Sequence, residues 1–290
     1  YFGPYSEKLW GLKPCQISEK WAPQRISLLN LNQVISHLLK KQARVPKTYA
    51  GSFYYPKRGI GQISEAMADR ITALGGIIRL NSPVKAVTVN QERMTEVVCE
   101  NGRNGEDRIS GDLFINTSPL PRFIEMVSGM HPEYVQTDTR LSHFRSIRFL
   151  NVCLDLPGIS PNTWIYVPDK KYLFFRIQDL RNWSPTIVPE NKGGIILEIA
   201  CNYGDDRWFM SDDEVWAACF EGLKGLGLLQ TDCASGYFST YARFAYPLYA
   251  LDYEEHVTNM FSFISKIHNL RTIGRQGLFR YNNMDHSLKM

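Results

Sequence analysis

The sequence contains no apolar run close to the roughly 18–20 residues that cross a bilayer. It also lacks the charged and then apolar N-terminus that is typical of a signal peptide. Nothing therefore indicates a membrane-spanning protein or a secreted precursor. We expect no integral membrane segment and a cytoplasmic location.

Cysteine is scarce, and the six cysteines lie far apart with no CxxC pair among them. No two histidines have the HxxxH spacing of a helical metal site. A disulfide framework and a zinc site are therefore not indicated. We expect free thiols and no bound metal.

Neither positive nor negative residues are in large excess, since 33 Lys and Arg residues and 29 Asp and Glu residues give a formal net charge of +4. These charges are scattered, so the sequence has no basic patch of the kind that binds nucleic acid. What the sequence does contain is a 44% hydrophobic content over 290 residues. This composition predicts a folded protein of one extended domain or two ordinary domains.

Helical and strand-like segments alternate along the chain. Residues 1–50 predict short helices, and the segment RGIGQISEAMADRITALGG predicts the clearest helix, with an apolar face that contains Ile63, Met67 and Ile71. Strands are predicted in IIRL, VKAVTV, MTEVVCE and DRISGDLFINTS, and then in SIRFLNVCLDL, TWIYV, YLFFRIQ, GIILEIACNY and YFSTYARFAYPLY. Further helices are predicted over residues 212–229 and 252–267.

Gly59 and Gly61 form a glycine turn just before the clearest helix. Glycine allows the backbone to come close to a ligand at the positively polarised start of a helix. The spacing is not GxGxxG, and an ordinary turn is the alternative interpretation.

The last segment, GRQGLFRYNNMDHSLKM, predicts a glycine loop and the start of a new helix directly after a strand. Such a helix start presents unpaired N–H groups to an anionic or electron-rich ligand. Arg275 and Arg280 add positive charge, and Tyr281 adds a flat ring. An ordinary capped helix is the alternative. Because the chain begins at Tyr1 and stops one turn into this helix, we expect it to be a piece of a longer protein.

No residue is identified as a catalytic acid, base or nucleophile. The tripeptide Asp285-His286-Ser287 suggests a hydrolase, but neighbouring helical residues point about 100° apart and cannot form a relay. Arg145 and Arg148 in FRSIRF could bind a phosphate or carboxylate. At this spacing in a strand they point to opposite faces, so we expect one to reach a site and the other to be solvated.

Several segments, taken in order, resemble a flavin-dependent superfamily that includes monoamine oxidases, protoporphyrinogen oxidases and UDP-galactopyranose mutases. They are YFGPYSEKLWGLKP, FYYPKRGIGQISEAMADRI, GGIIRLNSPVKAVTV, DLFINTSPLP, FRSIRF, FAYPLYALDYEEHV and GRQGLFRYNNMDHS. The resemblance is spread over nearly the whole chain, and its first and last segments look most like the mutases. It implies FAD as the cofactor and a small molecule as the substrate.

The resemblance also implies roles for individual residues. The residues that match cofactor-binding positions are Gly59, Gly61, Val84, Pro119, Gly274, Arg275, Met284 and Asp285. The residues that match substrate-binding positions are Trp10, Arg145 and Tyr281. In this superfamily the flavin supplies the reactive atom, and the protein orients the substrate and provides the electrostatic environment. The lack of a recognisable set of catalytic side chains is therefore expected.

The fold implied by the resemblance is an α+β or α/β two-domain flavoprotein. It has a mostly antiparallel substrate-domain sheet with flanking helices and part of the sheet of an FAD-binding domain. The expected divisions are 1–58 and 119–250 for the substrate domain, and 59–118 and 251–290 for the FAD-binding domain. The strand, GxGxxG loop and helix that hold the FAD pyrophosphate in such proteins are not in this sequence. We therefore expect FAD in the longer protein and little FAD binding by this chain alone.

Three functions are compatible with these observations. The leading hypothesis is a flavin-dependent oxidoreductase of the amine oxidase type that oxidises a small organic substrate. The first alternative is a sugar-nucleotide isomerase that resembles UDP-galactopyranose mutase and carries out no net oxidation. The second alternative is that the chain alone is a catalytically silent binding fragment.

Overall fold

A computed structural model describes residues 2–21, 54–102, 105–128 and 144–290. The helix predicted in NLNQVISHLLKK and the second half of the one predicted in ISEKWAPQRI lie outside these residues. Within them the structure is a mixed α+β fold, as the sequence predicts.

The described part of the chain contains eight α-helices and eleven strands. The helices are α1 (Phe2–Trp10), α2 (Gly61–Ala73), α3 (Leu120–Met126), α4 (Asp206–Phe209), α5 (Asp212–Gly225), α6 (Tyr253–Ile264), α7 (Gly274–Gly277) and α8 (Met284–Leu288). The first strands are β1 (Val84–Asn90), β2 (Arg93–Asn101), β3 (Gly105–Ser110), β4 (Phe114–Asn116) and β5 (Val127–Ser128). The remaining strands are β6 (Phe144–Leu154), β7 (Trp164–Tyr166), β8 (Arg176–Asp179), β9 (Gly193–Cys201), β10 (Ala234–Pro247) and β11 (Leu270–Thr272).

The strands form three sheets. The largest is antiparallel with the order β10-β6-β9-β8-β7, and the second has the order β3-β2-β1-β5. The third contains only β11 and β4, which run parallel, with Leu270 opposite Phe114 and Thr272 opposite Asn116. A parallel pair brings together chain segments that are far apart in sequence, because the second strand can be reached only by a long crossover.

One face of the five-stranded sheet is covered by α5. Alternate residues of β6 and β9 point toward this helix and are fully buried, among them Leu150, Leu197 and Ile199. The helix begins at Ser211, whose hydroxyl accepts a hydrogen bond from the backbone N–H of Glu214 in a capping box. This packing leaves the opposite face of the sheet available for other contacts.

The four-stranded sheet packs against α3 and α6 to form a second core. Its buried residues include Val87 on β1, Leu120 and Ile124 on α3, and Phe263 on α6. The second core lies beside β4 and β11, since Leu270 and Phe279 belong to the same cluster.

Lys8 fastens α1 to the connection between β7 and β8. It is buried, and its ammonium group donates to the backbone oxygens of Val167, Asp169 and Phe174 at 3.0, 2.8 and 2.6 Å. Beside it, Trp10 is 3% exposed and belongs to a small core with Tyr246. The short helix is therefore fixed by one buried cation and one buried ring.

The same lysine makes the stability of the protein depend on pH. Burial lowers the pKa of the Lys8 ammonium group from its ordinary value of 10.5 to about 8. Between these values the unfolded chain binds more protons at this site than the folded chain, so the free energy of unfolding rises with pH across this window. We expect Lys8→Met to remove this rise.

Denaturant unfolding of the wild type and of Lys8→Met at several pH values on either side of about 9 measures the effect. Lys85→Met is the matched control, because Lys85 is exposed and pairs with Glu100 at 2.7 Å. A gap between wild type and Lys8→Met that stays constant with pH would contradict the prediction.

The prediction of a strand in IIRL is wrong. Residues 77–80 form no strand, and Ile77 and Leu80 are 83% and 79% exposed. A strand needs a neighbour that pairs with its backbone groups, and the described part of the chain supplies none here.

The preceding helix α2 forms as predicted, but none of its residues is buried. On its apolar face, Met67 is 49% exposed and Ile71 is 43% exposed.

Three further predictions were that the protein has no disulfide, no membrane-spanning helix and no metal site. All six cysteines are free thiols, and Cys99, Cys201 and Cys219 are buried. Burial raises the pKa of the Cys201 thiol to about 11 and of the Cys219 thiol to about 12. Among the described residues, no helix is long and apolar enough to cross a bilayer. The same residues contain no cluster of three metal-binding side chains.

Candidate functional site

The C-terminal segment turns sharply after β11. Gly274 has a φ of +79°, in the left-handed region that favours glycine. A Cβ atom on Gly277 would lie 2.8 Å from Thr272 Oγ1 and 3.0 Å from the backbone oxygen of Asn116. Glycine is therefore required at residue 277 because the loop passes close to the end of β4.

Arg275 is the central residue of this turn. Its Nη1 donates to the backbone oxygen of Asn282 at 2.9 Å, and its Nη2 donates to that of Ala245 at 3.2 Å. The guanidinium carbon lies 4.4 Å from the ring centre of Tyr281 and 4.9 Å from that of Tyr246. Its Nε is buried and has no hydrogen-bond acceptor in the part of the chain that the structure describes.

Aromatic rings surround this arginine. Tyr281 stacks on Tyr246 with a centroid distance of 5.6 Å, and Trp10 meets Tyr246 edge to face at 5.7 Å. The hydroxyl of Tyr249 accepts a hydrogen bond from the backbone N–H of Tyr281 at 2.6 Å. Burial raises the pKa of Tyr249 to about 12, so the phenol stays protonated at neutral pH. The structure thus brings together three predicted site residues, Trp10, Arg275 and Tyr281.

The last helix, α8, opens onto a groove instead of packing against the core. The groove has a volume of about 530 Å³ and is lined by residues between Arg280 and Met290. Met284 at the helix start is 51% exposed, and Asp285 follows it. The backbone N–H groups in the first turn of a helix have no acceptor within the helix, because the residues four positions earlier lie outside it. Asn283 and His286 form a capping box at this start, and Met284 and Asp285 are not among the residues that line the groove.

No catalytic relay is present in the Asp285-His286-Ser287 tripeptide. His286 Nδ1 lies 3.9 Å from Asp285 Oδ1, and it accepts a hydrogen bond from the backbone N–H of Asn283 at 3.3 Å. The hydroxyl of Ser287 donates to Asn282 Oδ1 at 3.2 Å instead. The contacts of the three side chains are local and structural.

Arg145 is 5% exposed and holds the end of α1. Its Nε donates to the backbone oxygen of Leu9 at 2.9 Å, and its Nη1 donates to Asn202 Oδ1 at 2.6 Å. Its guanidinium also packs against Gly11, where a Cβ atom would come within 3.0 Å of it. Burial lowers the pKa of this arginine. Arg145 therefore supports Trp10, and its predicted contact with a substrate anion stays a prediction.

The expectation that the second arginine of FRSIRF is solvated is wrong. Arg148 is fully buried, and its Nη2 pairs with Asp212 Oδ1 at 2.5 Å. Its Nε donates to Ser239 Oγ at 2.7 Å, and its Nη1 donates to the backbone oxygens of Arg207 and Met210. This arginine fastens the start of α5 to the sheet.

The segment before the glycine turn is attached to the connection between β8 and β9. Gly59 has a φ of +97°, and a side chain at Gly59 or Gly61 would meet nothing within 4 Å. Just before the turn, the backbone oxygen of Lys57 accepts hydrogen bonds from the hydroxyls of Ser184 and Thr186 at 2.8 and 2.6 Å. The turn thus has open space around it while its approach is fixed.

Val84 and the residues before Pro119 share a cavity. Val84 begins β1 and is 39% exposed, and Pro119 precedes α3. A cavity of about 350 Å³ lies between β1, β2 and β4, and Val84, Thr117 and Ser118 are among the residues that line it. The predicted cofactor residues therefore fall into three places: this cavity, the glycine turn and the C-terminal segment.

Sequence reasoning missed a buried polar cluster on the face of the five-stranded sheet opposite α5. Arg176 donates through Nε and Nη2 to both carboxylate oxygens of the fully buried Glu198, each at 2.7 Å. Gln178 donates to Glu198 Oε1 at 2.6 Å. A signal existed for Glu198, because it is the single charged residue in the apolar strand β9.

These features fit a flavin better than a metal or a hydrolytic centre. A buried arginine Nε without an acceptor and the flat rings beside it suit a planar, electron-rich ligand. Glycines with free space let a backbone approach such a ligand closely. These features are compatible with the flavoprotein class.

Comparison with known proteins agrees with this class. Residues 21–254 match the family described as flavin containing amine oxidoreductase, which is more than half of the chain. The chain therefore belongs to the flavin containing amine oxidoreductase family. A search of curated protein sequences gave no match.

Solved structures with related folds share little sequence with this chain. A reduced UDP-galactopyranose mutase is 19% identical with a TM-score of 0.78, over 99% of this chain and 62% of that one. A protein assigned as a protoporphyrinogen oxidase from Exiguobacterium sp. 255-15 is 14% identical with a TM-score of 0.59, over 83% and 49%. A putrescine oxidase bound to putrescine is 14% identical with a TM-score of 0.53, over 80% and 51%. The chain thus spans about half to three fifths of the length of these proteins.

Proposed function

We propose that this chain is part of an FAD-dependent oxidoreductase that oxidises a small organic substrate. It would contribute the substrate domain, over 1–58 and 119–250, and later pieces of the FAD-binding domain, over 59–118 and 251–290. The observation that carries the proposal is the open C-terminal turn, where Arg275 has a buried Nε without an acceptor among the described residues. Membership of the flavin containing amine oxidoreductase family supports the same cofactor.

An exposed apolar face supports the proposed division into domains. Met67 and Ile71 in α2, Leu74 directly after it, Leu113 before β4 and Ile115 in β4 are 43–69% exposed. The parallel pair of β4 and β11 adds to this, because parallel sheets are almost always covered on both faces. We propose that a GxGxxG-containing unit outside these 290 residues covers this face and holds the FAD pyrophosphate.

The chain's own residues would position the flavin and stabilise its charge. FAD, when bound, accepts a hydride equivalent and carries additional negative charge on its ring system. Arg275 and the N–H groups at the start of α8 (Met284 and Asp285) would offset that charge. The Gly59–Gly61 turn would allow close approach of the backbone, and Val84 would contact the adenine. Trp10 and Tyr281 would line the substrate side.

The reaction type can be tested on a polypeptide that joins a dinucleotide-binding unit to these 290 residues. We expect a substrate of the oxidoreductase to bleach the flavin absorbance on anaerobic mixing, because the electrons move to the flavin. Amines such as putrescine and porphyrinogens are the first compounds to test. If only a nucleotide sugar raises the melting temperature and is isomerised without net oxidation, the oxidoreductase proposal fails in favour of the mutase-like alternative.

A further inference from the structure

A cavity of about 710 Å³ lies between the end of α1, the five-stranded sheet and the helices α3 and α6. Its volume is within the range of small-molecule sites, about 300–1,000 Å³. Trp10, the last residue of α1, is among the residues that line it. No described residue lines both this cavity and the groove beside α8, so the two are separate places in the fold.

Arg243, on β10, brings an unpaired positive charge to the wall of this cavity. Its guanidinium carbon lies 3.7 Å from the ring centre of Tyr203 and 5.1 Å from that of Phe244. Among the described residues, its side chain forms no ion pair and donates no hydrogen bond. An arginine that stacks on a flat ring can still donate from the edge of its guanidinium, where the N–H groups lie. Arg243 is therefore available to an anion.

Asn202, directly after β9, supplies a second donor beside the cavity. Its Oδ1 accepts a hydrogen bond from Arg145 Nη1 at 2.6 Å, and Arg145 is 5% exposed. This buried contact fixes the amide group, because its oxygen and its NH₂ group are on opposite sides. The Nδ2 of Asn202 donates to no described residue. It can therefore donate to the same ligand as Arg243.

The other acidic and basic side chains that line the cavity contact each other, within its described part. Arg122 pairs with Glu125 on α3. Directly before α6, Asp252 Oδ2 lies 3.3 Å from His256 Nε2. The carboxylates of Glu125 and Asp252 oppose a second negative charge on a ligand, because like charges repel. The cavity is therefore suited to a ligand with one negative charge.

Apolar side chains form another part of the wall. Phe144 and Phe244 meet edge to face with their ring centres 5.4 Å apart, and Leu248 also lines the cavity. Burying an apolar ligand group against such side chains is favourable, because it removes apolar surface from water. A ligand for this cavity can therefore combine one anionic group with an apolar body.

We propose that the cavity binds a small organic acid with one carboxylate and an apolar body. The carboxylate accepts hydrogen bonds from Arg243 and from Asn202 Nδ2, and the body packs against Phe144 and Phe244. Arginine suits this ligand because its planar fork matches the two oxygens of a carboxylate. A phosphate ester or a diphosphate carries more negative charge than Arg243 can offset, so the cavity disfavours both.

The position of Trp10 relates the cavity to the proposed function. Trp10 meets Tyr246 edge to face at 5.7 Å, and the ring centre of Tyr246 is 4.9 Å from the guanidinium carbon of Arg275. The cavity thus adjoins the aromatic residues of the turn that would hold the flavin. The identification of the bound acid as the substrate rests on the proposed function, whereas the binding of the acid does not.

The test compares three ligands that share a phenyl ring. The first, 3-phenylpropanoate, carries one negative charge, and 3-phenylpropanamide is its neutral analogue. The third, phenyl phosphate, carries about 1.5 to 2 negative charges at pH 7. Ligand-observed NMR titrations of the flavin-free 290-residue chain give the dissociation constants. We expect the propanoate to bind about fivefold more tightly than either of the others. If the amide or the phosphate binds as tightly as the propanoate, or if the propanoate shows no saturable binding, the proposal is overturned.

Arg243→Met locates the anionic group of the ligand. We expect this variant to lose the preference for the propanoate over the amide. Arg271→Met is the matched control, because Arg271 is exposed like Arg243, lies on β11 and does not line the cavity. It should keep the preference within about twofold. A preference that survives in Arg243→Met, or that disappears equally in both variants, would refute the assignment.

Asn202→Asp tests the second donor with little change of shape. An aspartate keeps the oxygen that accepts from Arg145 Nη1, and it replaces the NH₂ group with an oxygen that repels a carboxylate. We expect the propanoate to lose about fivefold in affinity relative to the amide. An unchanged ratio of the two affinities would contradict the role of Asn202. Because all titrations are made without flavin, their failure is distinguishable from a failure of the flavoprotein proposal, which flavin retention measures.

Discussion

Replacing Arg176 with methionine is expected to lower the free energy of unfolding by about 3–5 kcal/mol. The reason is that Glu198 is fully buried and would lose the cation that neutralises it, along with two hydrogen bonds of 2.7 Å. A carboxylate left in this position has only Gln178 as a side-chain donor among its former partners. Denaturant unfolding followed by circular dichroism measures the change.

The control for this prediction is the double variant Arg176→Met with Glu198→Met. Removing both members of a buried ion pair is often nearly neutral, because no unpaired charge remains. We therefore expect the double variant to recover most of the stability lost in the single one. If the single and double variants are equally destabilised, Arg176 acts through packing, and the ion-pair account is wrong.

Replacing Arg275 with methionine is expected to weaken FAD binding about ten- to a hundredfold in a polypeptide that also carries the dinucleotide-binding unit. The guanidinium is the positive group at the centre of the turn, and its Nε is the buried donor without an acceptor among the described residues. In the proposed site, its loss would remove a charge-assisted hydrogen bond to the flavin. Titration with FAD, followed by flavin fluorescence, gives the affinities.

Arg271→Met is the matched control for this experiment. Arg271 lies on β11, close in sequence to Arg275, and its Nη1 donates to the backbone oxygens of His268 and Leu270. Its removal should leave FAD binding within about twofold of the wild type, because the group lies outside the proposed site. Melting curves of both variants separate a loss of affinity from a loss of folding.

Much of the architecture could be predicted from the sequence because it depends on local patterns. The alternation of apolar residues predicted β6 and β9, and the helical spacing predicted α5 and α6. The glycines at 274 and 277 predicted the turn after β11, since they mark a left-handed position and a close backbone approach. Tyr281 lies against Arg275 in that turn, and the predicted contacts of these two residues with substrate and flavin stay predictions.

What the sequence could not predict depends on pairing between distant segments. Arg148 and Asp212 are 64 residues apart, so the buried role of this arginine is not visible in FRSIRF alone. The contact between Arg176 and Glu198 requires the register of β8 against β9, where the two residues are opposite each other. The strand predicted in IIRL failed for the same reason, because a strand depends on a partner and not only on its own apolar residues.

In the proposed flavoprotein, the turn around Arg275 and the start of α8 would hold the isoalloxazine ring of FAD. A crystal structure of the joined polypeptide with FAD tests it most directly. We expect the Arg275 side chain and the N–H groups of Met284 and Asp285 to lie within hydrogen-bonding distance, about 3 Å, of flavin oxygen or nitrogen atoms. A flavin ring bound elsewhere, with this turn in contact only with protein, would contradict the account.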